Sequence, residues 1–304
     1  MDLSVVICSY DRYTLIAEAA AAVANSQSFD PETMELIVVE NTPPAKRMAM
    51  TLGPLARVVV CEEPGLSNAR NAGVAASLGD IVAFVDDDAI VHDDWCARVV
   101  AAFKAHPAAM VCGGRTLPRY SGKAHPRWYY PELASHLSCI DWGRKAHAIE
   151  PGQWIVGANM AFRKSIFDTV GLFDPALGRK GEASLLSNEE IAMLRKIGRD
   201  KVFYIPDMVV DHIIPDGRIT LEWFRKRVFW QAVSDVLAGE PFKTAAEAAQ
   251  EMRNIIARAP AQHRGHRLLS YEPADPEGLK DQLKAVYLTA ILMSAGLPAD
   301  SLRD

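Results

Sequence analysis

Three consecutive aspartates, Asp86, Asp87 and Asp88, directly follow an apolar run at residues 81–85 that is typical of a short buried strand. Carboxylates placed side by side repel one another and lose solvation where a strand end is partly buried, so a cation should neutralise them. Oxygen ligands favour a hard divalent ion such as Mg²⁺ or Mn²⁺, which usually also holds substrate phosphates. The alternative is a solvated acidic turn that caps a following helix.

The elements that position these aspartates are indicated by alternating strand-like and helical stretches. Apolar runs predict four strands, at residues 3–8, 35–39, 56–60 and 80–85, and helical stretches occur at residues 14–23 and 67–78. This alternation implies right-handed βαβ units and an α/β fold with a mostly parallel sheet. Ligands bind such a sheet at the carboxyl ends of its strands. We call the edge of the sheet formed by these strand ends the rim. The residues expected to lie there are Ser9, Tyr10, Asp11, Glu40, Asn41, Glu62, Glu63 and the three aspartates.

Two phosphate-binding signatures are missing from the sequence. The turn after the first strand reads Cys-Ser-Tyr-Asp-Arg at residues 8–12 instead of GxGxxG, and GxxxxGK[ST] occurs nowhere. Both signatures hold phosphates on a glycine-rich backbone. The sequence therefore disfavours a dinucleotide dehydrogenase and a P-loop NTPase, and a nucleotide held through a metal fits better.

The overall composition is that of an ordinary globular protein. The 304 residues are 49% hydrophobic and 23% charged, and the net charge of −5 provides no basic field that would favour nucleic acid. No signal peptide is predicted, and no stretch has the ~20 apolar residues that a spanning helix needs. Five scattered cysteines without a CxxC motif indicate buried thiols in a reducing compartment. We expect a cytoplasmic protein, or one on the inner face of the membrane.

Five segments resemble, in the same order, motifs of the family 2 glycosyltransferases. They are residues 5–12, the GLSNARNAG run at 65–73, the GDIVAFVDDD run at 79–88, the GANMAFRK run at 157–164, and VGLFD at 170–174. The resemblance extends from residue 3 to about residue 230. It implies the Rossmann-like GT-A fold and the transfer of a sugar from a nucleotide-diphosphate donor, with a UDP-sugar favoured.

The resemblance also implies roles in donor binding. Asp86 and Asp88 correspond to the DxD pair that binds Mn²⁺ or Mg²⁺ and the donor, and His212 matches a histidine that completes the metal or diphosphate site in many relatives. Which of the three aspartates bind directly stays open. Glu40 stands where the family usually has Asp and would accept a hydrogen bond from the base. The predicted donor-binding residues are Ser9, Tyr10, Asp11, Glu40, Arg70, Asp86 and Asp87, although Arg70 would otherwise be read as half of a surface ion pair.

The pair Glu189 and Glu190 opens a predicted helix whose Ile191, Leu194 and Ile197 should face inward. Two glutamates in a first turn also complement the helix dipole, which is the structural alternative. In the family an acidic pair at this place supplies the general base of inverting enzymes. The resemblance therefore implies Glu190 as the base and Glu189 as a residue that binds or orients the acceptor.

The acceptor side is predicted between residues 117 and 152, a loop-like stretch rich in Pro, Trp and Tyr. Its aromatic side chains suit sugar rings or a membrane interface, and the alternative is a small core under a long loop. Trp154 and Asn159, in and beside the 157–164 motif, are the predicted acceptor-binding residues, and a glycan or a lipid-linked glycan is the expected acceptor. Aromatic residues beside a basic cluster at 221–230 suit either peripheral membrane contact or packing on the core.

The predicted organisation is a GT-A catalytic domain at residues 1–218 followed by a helical extension at 219–304. The donor-binding half would cover residues 1 to about 115 and the acceptor-binding half residues 116 to 218. Two rival classes stay open, a sugar nucleotidyltransferase and a non-catalytic relative that only binds nucleotides or sugars. The sequence indicates no oligomeric state.

Overall fold

A computed structural model describes residues 1–181, 185–239 and 244–294 of the chain. The strands within these residues are β1 Leu3–Ser9, β2 Met34–Glu40, β3 Ala56–Val60, β4 Ile81–Asp86, β5 Ala89–Val91, β6 Val111–Tyr120, β7 His147–Ala148, β8 Asn159–Arg163 and β9 Val202–Ile214. The α-helices are α1 Tyr13–Ala24, α2 Leu66–Ala76, α3 Trp95–Ala105, α4 Ile166–Val170, α5 Glu189–Ile197, α6 Leu221–Leu237, α7 Ala245–Arg258 and α8 Pro276–Ser294.

The described residues form two compact units. The first unit contains Met1–Arg119, Ser138–Gly181 and Glu189–Ile213. The second contains the described residues of Tyr120–Leu137, Glu182–Asn188 and Ile214–Asp304. The predicted division of the chain between residues 218 and 219 stays a prediction.

The strands form one mixed sheet in the order β3-β2-β1-β4-β8-β6-β9-β5, with β7 paired to β9. The neighbours β3, β2, β1 and β4 are parallel, as the alternation of strands and helices predicts. The strand β8 runs antiparallel to both β4 and β6, and β5 runs antiparallel to β9. The parallel arrangement that the sequence predicts is therefore present in the pairs among β1, β2, β3 and β4.

Helices cover both faces of the parallel strands. Side chains alternate along β1, so Val5 and Ile7 pack on one face with residues of α1 and α3, whereas Val6 packs on the other face with residues of α2 and α5. Most residues of β1, β2 and β4 are buried on both sides of the sheet. This explains why these strands read as continuous apolar runs.

Several details differ from the sequence predictions. The sequence also has strand-like apolar runs at residues 202–206 and 209–212, which predict two short strands, but the structure joins them in the single strand β9. In α5, Leu194 and Ile197 are buried as predicted, but Met193 is buried where Ile191 was expected and Ile191 is only half-buried. The middle stretch is less loop-like than predicted, because β6 extends to Tyr120 and β7 lies within it.

The second unit contains a helical core formed by α6, α7 and α8, which includes Ala232, Ile255 and Leu288. Trp128 and Phe224 are buried with their ring centroids 6.1 Å apart in an edge-to-face arrangement. Some of the aromatic residues noted in the sequence therefore belong to a packed core. In the part of the chain that the structure describes, no helix combines the length and the apolar character needed to cross a membrane. Peripheral membrane contact stays a prediction.

Candidate active site

The carboxyl ends of the parallel strands meet at one edge of the sheet. Ser9 at the end of β1 lies opposite Glu40 at the end of β2, and Cys8 lies opposite Asp86 at the end of β4. Because β2 and β4 flank β1 on opposite sides, the chain order reverses at β1, which is where open α/β sheets form their ligand crevice. The predicted rim is thus present as a structural feature.

Asp87 and Asp88 are buried at this rim and share one cation. Nη1 of Arg12 lies 2.8 Å from Asp87 Oδ1 and 2.8 Å from Asp88 Oδ2. The hydroxyl of Ser9 donates a further hydrogen bond to Asp87 Oδ2 at 3.1 Å. Burial, and then the charge of Asp88, raises the pKa of Asp87 to about 6 even with Arg12 beside it. The charge repulsion between Asp87 and Asp88 is therefore partly compensated by one arginine.

His212 lies on the other side of Asp88. Its Nε2 is 2.9 Å from Asp88 Oδ1, its Nδ1 is 3.9 Å from the sulfur of Cys139, and only 3% of the residue is exposed. Burial lowers the pKa of His212, but the charge of Asp88 and the hydrogen bond to it raise the pKa to about 10. A cation that binds Nε2 must therefore displace a proton.

The donor atoms of Asp88 and His212 fit a divalent cation such as Mn²⁺, which accepts both carboxylate oxygen and imidazole nitrogen. Within residues 1–181, 185–239 and 244–294, no three His, Cys, Asp or Glu side chains are grouped closely enough to hold a metal. Of the predicted set of Asp86, Asp88 and His212, the structure brings only the last two into contact. Two protein ligands are nevertheless a common number for a cation that also binds substrate phosphates.

Glu40 is buried at the end of β2 with one carboxylate oxygen satisfied and one not. Its Oε1 accepts the backbone N–H of Thr42 at 2.9 Å, whereas no hydrogen-bond donor among the described residues reaches Oε2, and the residue is only 2% exposed. A buried acceptor without a donor costs free energy, so this oxygen indicates a place for a ligand N–H.

The remaining predicted residues of the first turn lie beside Glu40. Asp11 adopts a left-handed backbone conformation with φ 55°, and its N–H donates to the hydroxyl of Thr42 at 2.8 Å. The carboxylate of Asp11 is 3.7 Å from Lys46 Nζ, and Tyr10 is half-buried. The structure therefore brings both residues to the rim, in the turn that joins β1 to α1.

Arg70 connects the aspartate row to the acidic pair of α5. Its Nη1 is 2.6 Å from Glu189 Oε1, and its Nη2 is 3.6 Å from Asp86 Oδ1. Arg70 is only 2% exposed, so the interpretation as a surface ion pair is wrong. A Cβ atom at Gly157 would lie 2.2 Å from Arg70 Nη2, which gives a steric reason for glycine in the 157–164 motif.

The two glutamates of α5 are in different environments. Glu189 is 4% exposed and is held by Arg70, while Glu190 is half-buried. Glu190 is therefore the more accessible of the two residues, although the Oε2 atoms of both are buried.

The predicted acceptor residue Asn159 lies opposite Val85, at the carboxyl end of β4, but its side chain is fully engaged within the fold. Asn159 has no exposed surface, and its side chain bonds to Trp95 Nε1, to the carbonyl of Arg115 and to the carbonyl of Met208 at 2.8–3.0 Å. Trp154 is half-buried against the ring of Trp142. The structure thus gives Asn159 a role in joining strands, and contact of either residue with an acceptor stays a prediction.

Sequence reasoning missed Arg12. It lies in the same turn as Ser9, Tyr10 and Asp11, and it is a cation adjacent to a rim where the charge argument already required one. That coincidence of position and charge was the signal that could have identified it.

The fold is that of the GT-A glycosyltransferases, and comparison with known proteins leads to the same class. The model of the Glycosyl transferase family 2 matches residues 4–171, more than half of the chain, and the protein therefore belongs to this family. The predicted family and fold are confirmed.

Two curated relatives and one solved structure illustrate the similarity. A glucosyl-dolichyl phosphate glucuronosyltransferase of Haloferax volcanii is 29% identical, over 77% of this chain and 76% of its own. The succinoglycan biosynthesis protein ExoM of Rhizobium meliloti is 26% identical, over 75% and 72% respectively. The crystal structure of residues 1–349 of S. aureus TarS superposes with a TM-score of 0.51 at 14% identity, over 97% of this chain and 91% of that one, which supports the fold.

Proposed function

We propose that this glycosyltransferase moves a sugar from a nucleotide-diphosphate donor to a hydroxyl group of a glycan or a lipid-linked glycan, by metal-dependent in-line displacement with inversion. The observation that carries the proposal is the continuous set of charges formed by Asp86, Arg70 and Glu189. It joins the aspartate row at the end of β4 to the acidic pair that opens α5, so groups suited to a diphosphate and groups suited to a hydroxyl belong to one site.

The donor end is assigned to the aspartates and Glu40. A divalent cation bound by Asp88 and His212 would offset the negative charge of the departing diphosphate. The unmatched Oε2 of Glu40 could accept an N–H from the base, and the imide N–H of uracil is such a donor, which supports a UDP-sugar.

The acceptor end is assigned to the glutamates. Glu190, the more accessible one, takes the proton from the acceptor hydroxyl as that oxygen attacks the anomeric carbon. Glu189 holds Arg70 and thereby orients the pair. With a single base and direct displacement by the acceptor, the configuration at the anomeric carbon inverts.

The nature of the acceptor is supported by the two curated relatives. Both names refer to glycan assembly, and that of the Haloferax volcanii protein refers to a sugar carried on dolichyl phosphate. A glycan, free or linked to a lipid, is therefore the first acceptor class to test.

The experiment is an assay of nucleoside diphosphate release from a panel of sugar donors, with Mn²⁺, Mg²⁺ or a chelator and with lipid-linked and free glycans as acceptors. We expect release that needs both metal and acceptor. Release that persists in chelator would contradict the metal dependence, and pyrophosphate as the product would identify a nucleotidyltransferase instead.

The role of Glu190 is tested by Glu190→Gln, which removes the base while keeping the shape of the side chain. We expect the transfer rate to fall by about 10²–10⁴-fold, the usual contribution of a general base, with donor affinity by calorimetry near that of the wild type. The matched control is Glu222→Gln, which alters an exposed first-turn glutamate of α6. Full activity of Glu190→Gln together with an inactive Glu189→Gln would reverse the two assignments, and a product with retained configuration would exclude direct displacement.

A further inference from the structure

Arg12 stands out because one of its nitrogens serves two buried carboxylates. Its Nη1 is 2.8 Å from Asp87 Oδ1 and 2.8 Å from Asp88 Oδ2, whereas Asp88 Oδ1 faces His212. Arg12 thus lies on the side of these carboxylates away from the histidine and contacts one oxygen of each.

Two properties of Arg12 differ from those of Arg70, which also contacts an aspartate of the row. The Arg12 side chain is 34% exposed and extends from the turn between β1 and α1, while the carboxylates it binds are 8% and 6% exposed. Arg70 is 2% exposed and lies close to the rings of Phe84 and Phe173. Arg12 can therefore leave its partners for solvent, whereas Arg70 is enclosed.

The two aspartates cannot remain charged without some cation. They are adjacent, buried and of like charge, so the loss of the Arg12 guanidinium would make it more costly to keep both ionised, even with His212 facing Asp88. A guanidinium group and a divalent cation that both bind Asp88 at the same time would also repel each other. Binding of the two cations to this carboxylate should therefore be competitive.

We infer that Arg12 is a placeholder cation, which neutralises Asp87 and Asp88 until a divalent cation binds and which then moves toward solvent. This inference rests on the metal dependence proposed above. It assigns to Arg12 a function that opposes cation binding, in contrast to Asp88 and His212, which promote it. The exchange keeps the positive charge beside the aspartates nearly constant.

The test compares Arg12→Met with the wild type by titrating Mn²⁺ alone in a calorimeter and by thermal unfolding in chelator and in Mn²⁺. Removing a charge-assisted competitor should tighten the Mn²⁺ dissociation constant by about tenfold. The variant should unfold about 2–4 °C below the wild type in chelator and recover most of that difference in saturating Mn²⁺.

The matched control is Arg57→Met, which breaks the ion pair between Arg57 and Glu35 at an exposed position. Its Mn²⁺ affinity should equal that of the wild type, and any change in unfolding temperature should be the same with and without Mn²⁺. Should Arg12→Met not fold, Arg12→Lys provides a second variant, because a lysine cannot reproduce the guanidinium geometry and should also bind Mn²⁺ more tightly than the wild type.

Equal Mn²⁺ affinity in the wild type and the Arg12 variants, or no Mn²⁺ binding by any of them, would overturn the inference. Failure of the proposed function is a separate result. It would be seen as Mn²⁺ affinity that depends on Arg12 in a protein that releases no nucleoside diphosphate, whereas metal-dependent transfer with equal affinities would refute the placeholder alone.

Discussion

The buried carboxylates at the rim and the buried carboxylate of Asp235 in the second unit have their negative charge stabilised by different kinds of partner. At the rim of the sheet, Asp87 and Asp88 are compensated by charged groups, the guanidinium of Arg12 and the imidazole of His212. In the second unit, the carboxylate of Asp235 on α6 is compensated by neutral donors.

Both carboxylate oxygens of Asp235 accept hydrogen bonds from neutral side chains. Asp235 Oδ1 accepts hydrogen bonds from Asn188 Nδ2 and Gln231 Nε2, each at 2.8 Å, and Oδ2 accepts one from the hydroxyl of Tyr287 at 2.8 Å. Burial, and then the charge of Asp235, raises the pKa of Tyr287, so the phenol stays protonated and remains a donor. Asp235 itself is 7% exposed.

This difference indicates at which of the two places a cation beside a carboxylate can be replaced by another cation. A carboxylate held by one flexible, partly exposed cation can take another cation in its place, because the Coulombic attraction is not tied to one geometry. A carboxylate held by three directional hydrogen bonds from side chains in a packed core is bound to one arrangement. The rim is therefore suited to ligand chemistry, and the Asp235 cluster to the stability of the second unit.

The largest expected effect belongs to the rim. Asp88→Asn removes the carboxylate that contacts both Arg12 and His212, and we expect metal-dependent transfer to fall by at least about 100-fold, because a bound cation is worth several kcal/mol to a developing negative charge. Initial rates of transfer at saturating donor measure it. Asp211→Asn is the control, since Asp211 faces His92 in an exposed pair and should be dispensable. A fully active Asp88→Asn variant would show that the carboxylate of Asp88 at the rim is not needed for the reaction.

A smaller effect, on stability rather than rate, is expected from Asp235→Asn. The amide oxygen of the new residue can still accept from Asn188 and Gln231, but its NH2 group would face the hydroxyl of Tyr287. The hydrogen of that hydroxyl then loses its acceptor, and an unsatisfied buried group costs about 1–3 kcal/mol. Denaturant unfolding measures the loss, and the transfer rate per folded molecule should be retained. If the stability of Asp235→Asn were unchanged while its transfer rate fell sharply, the assignment of the Asp235 cluster to stability and of the rim to chemistry would be wrong.

A third effect, which is confined to acid pH, concerns two histidines with opposite pKa shifts. His212 at the rim has a raised pKa, whereas burial, and then the charge of Arg227, lowers the pKa of His136 in the second unit to about 4. The unfolded chain then takes up a proton near pH 6.5 but the folded unit only near pH 4, so the contribution of His136 to stability is full above about pH 6.5 and is lost as the pH falls toward 4.

Within that window the loss should reach about 1.4 kcal/mol per pH unit at most. Unfolding by denaturant at several pH values between 4 and 7 measures it, for the wild type and for His136→Gln. The difference between the two should change with pH in this direction, since the carboxylates titrate equally in both. A difference that does not depend on pH would show that His136 titrates normally in the folded protein.

Much of the first unit could be predicted from the sequence. The strands β1 to β4 and the helices α1 and α2 match their apolar patterns to within about two residues at each end, because each pattern is local to its own residues, although Val58 and Val60 of β3 are exposed. The rule for parallel sheets then located the rim at Ser9, Glu40 and Asp86. The short strand β5 and the continuity of β9 were not predicted, since their hydrogen bonds come from strands distant in the chain.

The site shows the same division between local and distant information. Types of residue, their order and the resemblance to a family identified the aspartate row and the acidic pair of α5 without any structure. The partners of these acids did not follow from the sequence, because Arg12 and Asp87 are 75 residues apart and Arg70 and Glu189 are 119 apart. Asn159 was assigned by its motif to the acceptor, whereas packing made it a link between strands.

The sequence by itself determined the family, the fold and the edge of the sheet where chemistry takes place, because local patterns and motifs carry that information. Only the tertiary structure decided which cation neutralises which carboxylate, and whether that cation is enclosed like Arg70 or exposed like Arg12. The physical reason is that burial and charge pairing are properties of the packed chain, and a residue type does not reveal how much water surrounds it.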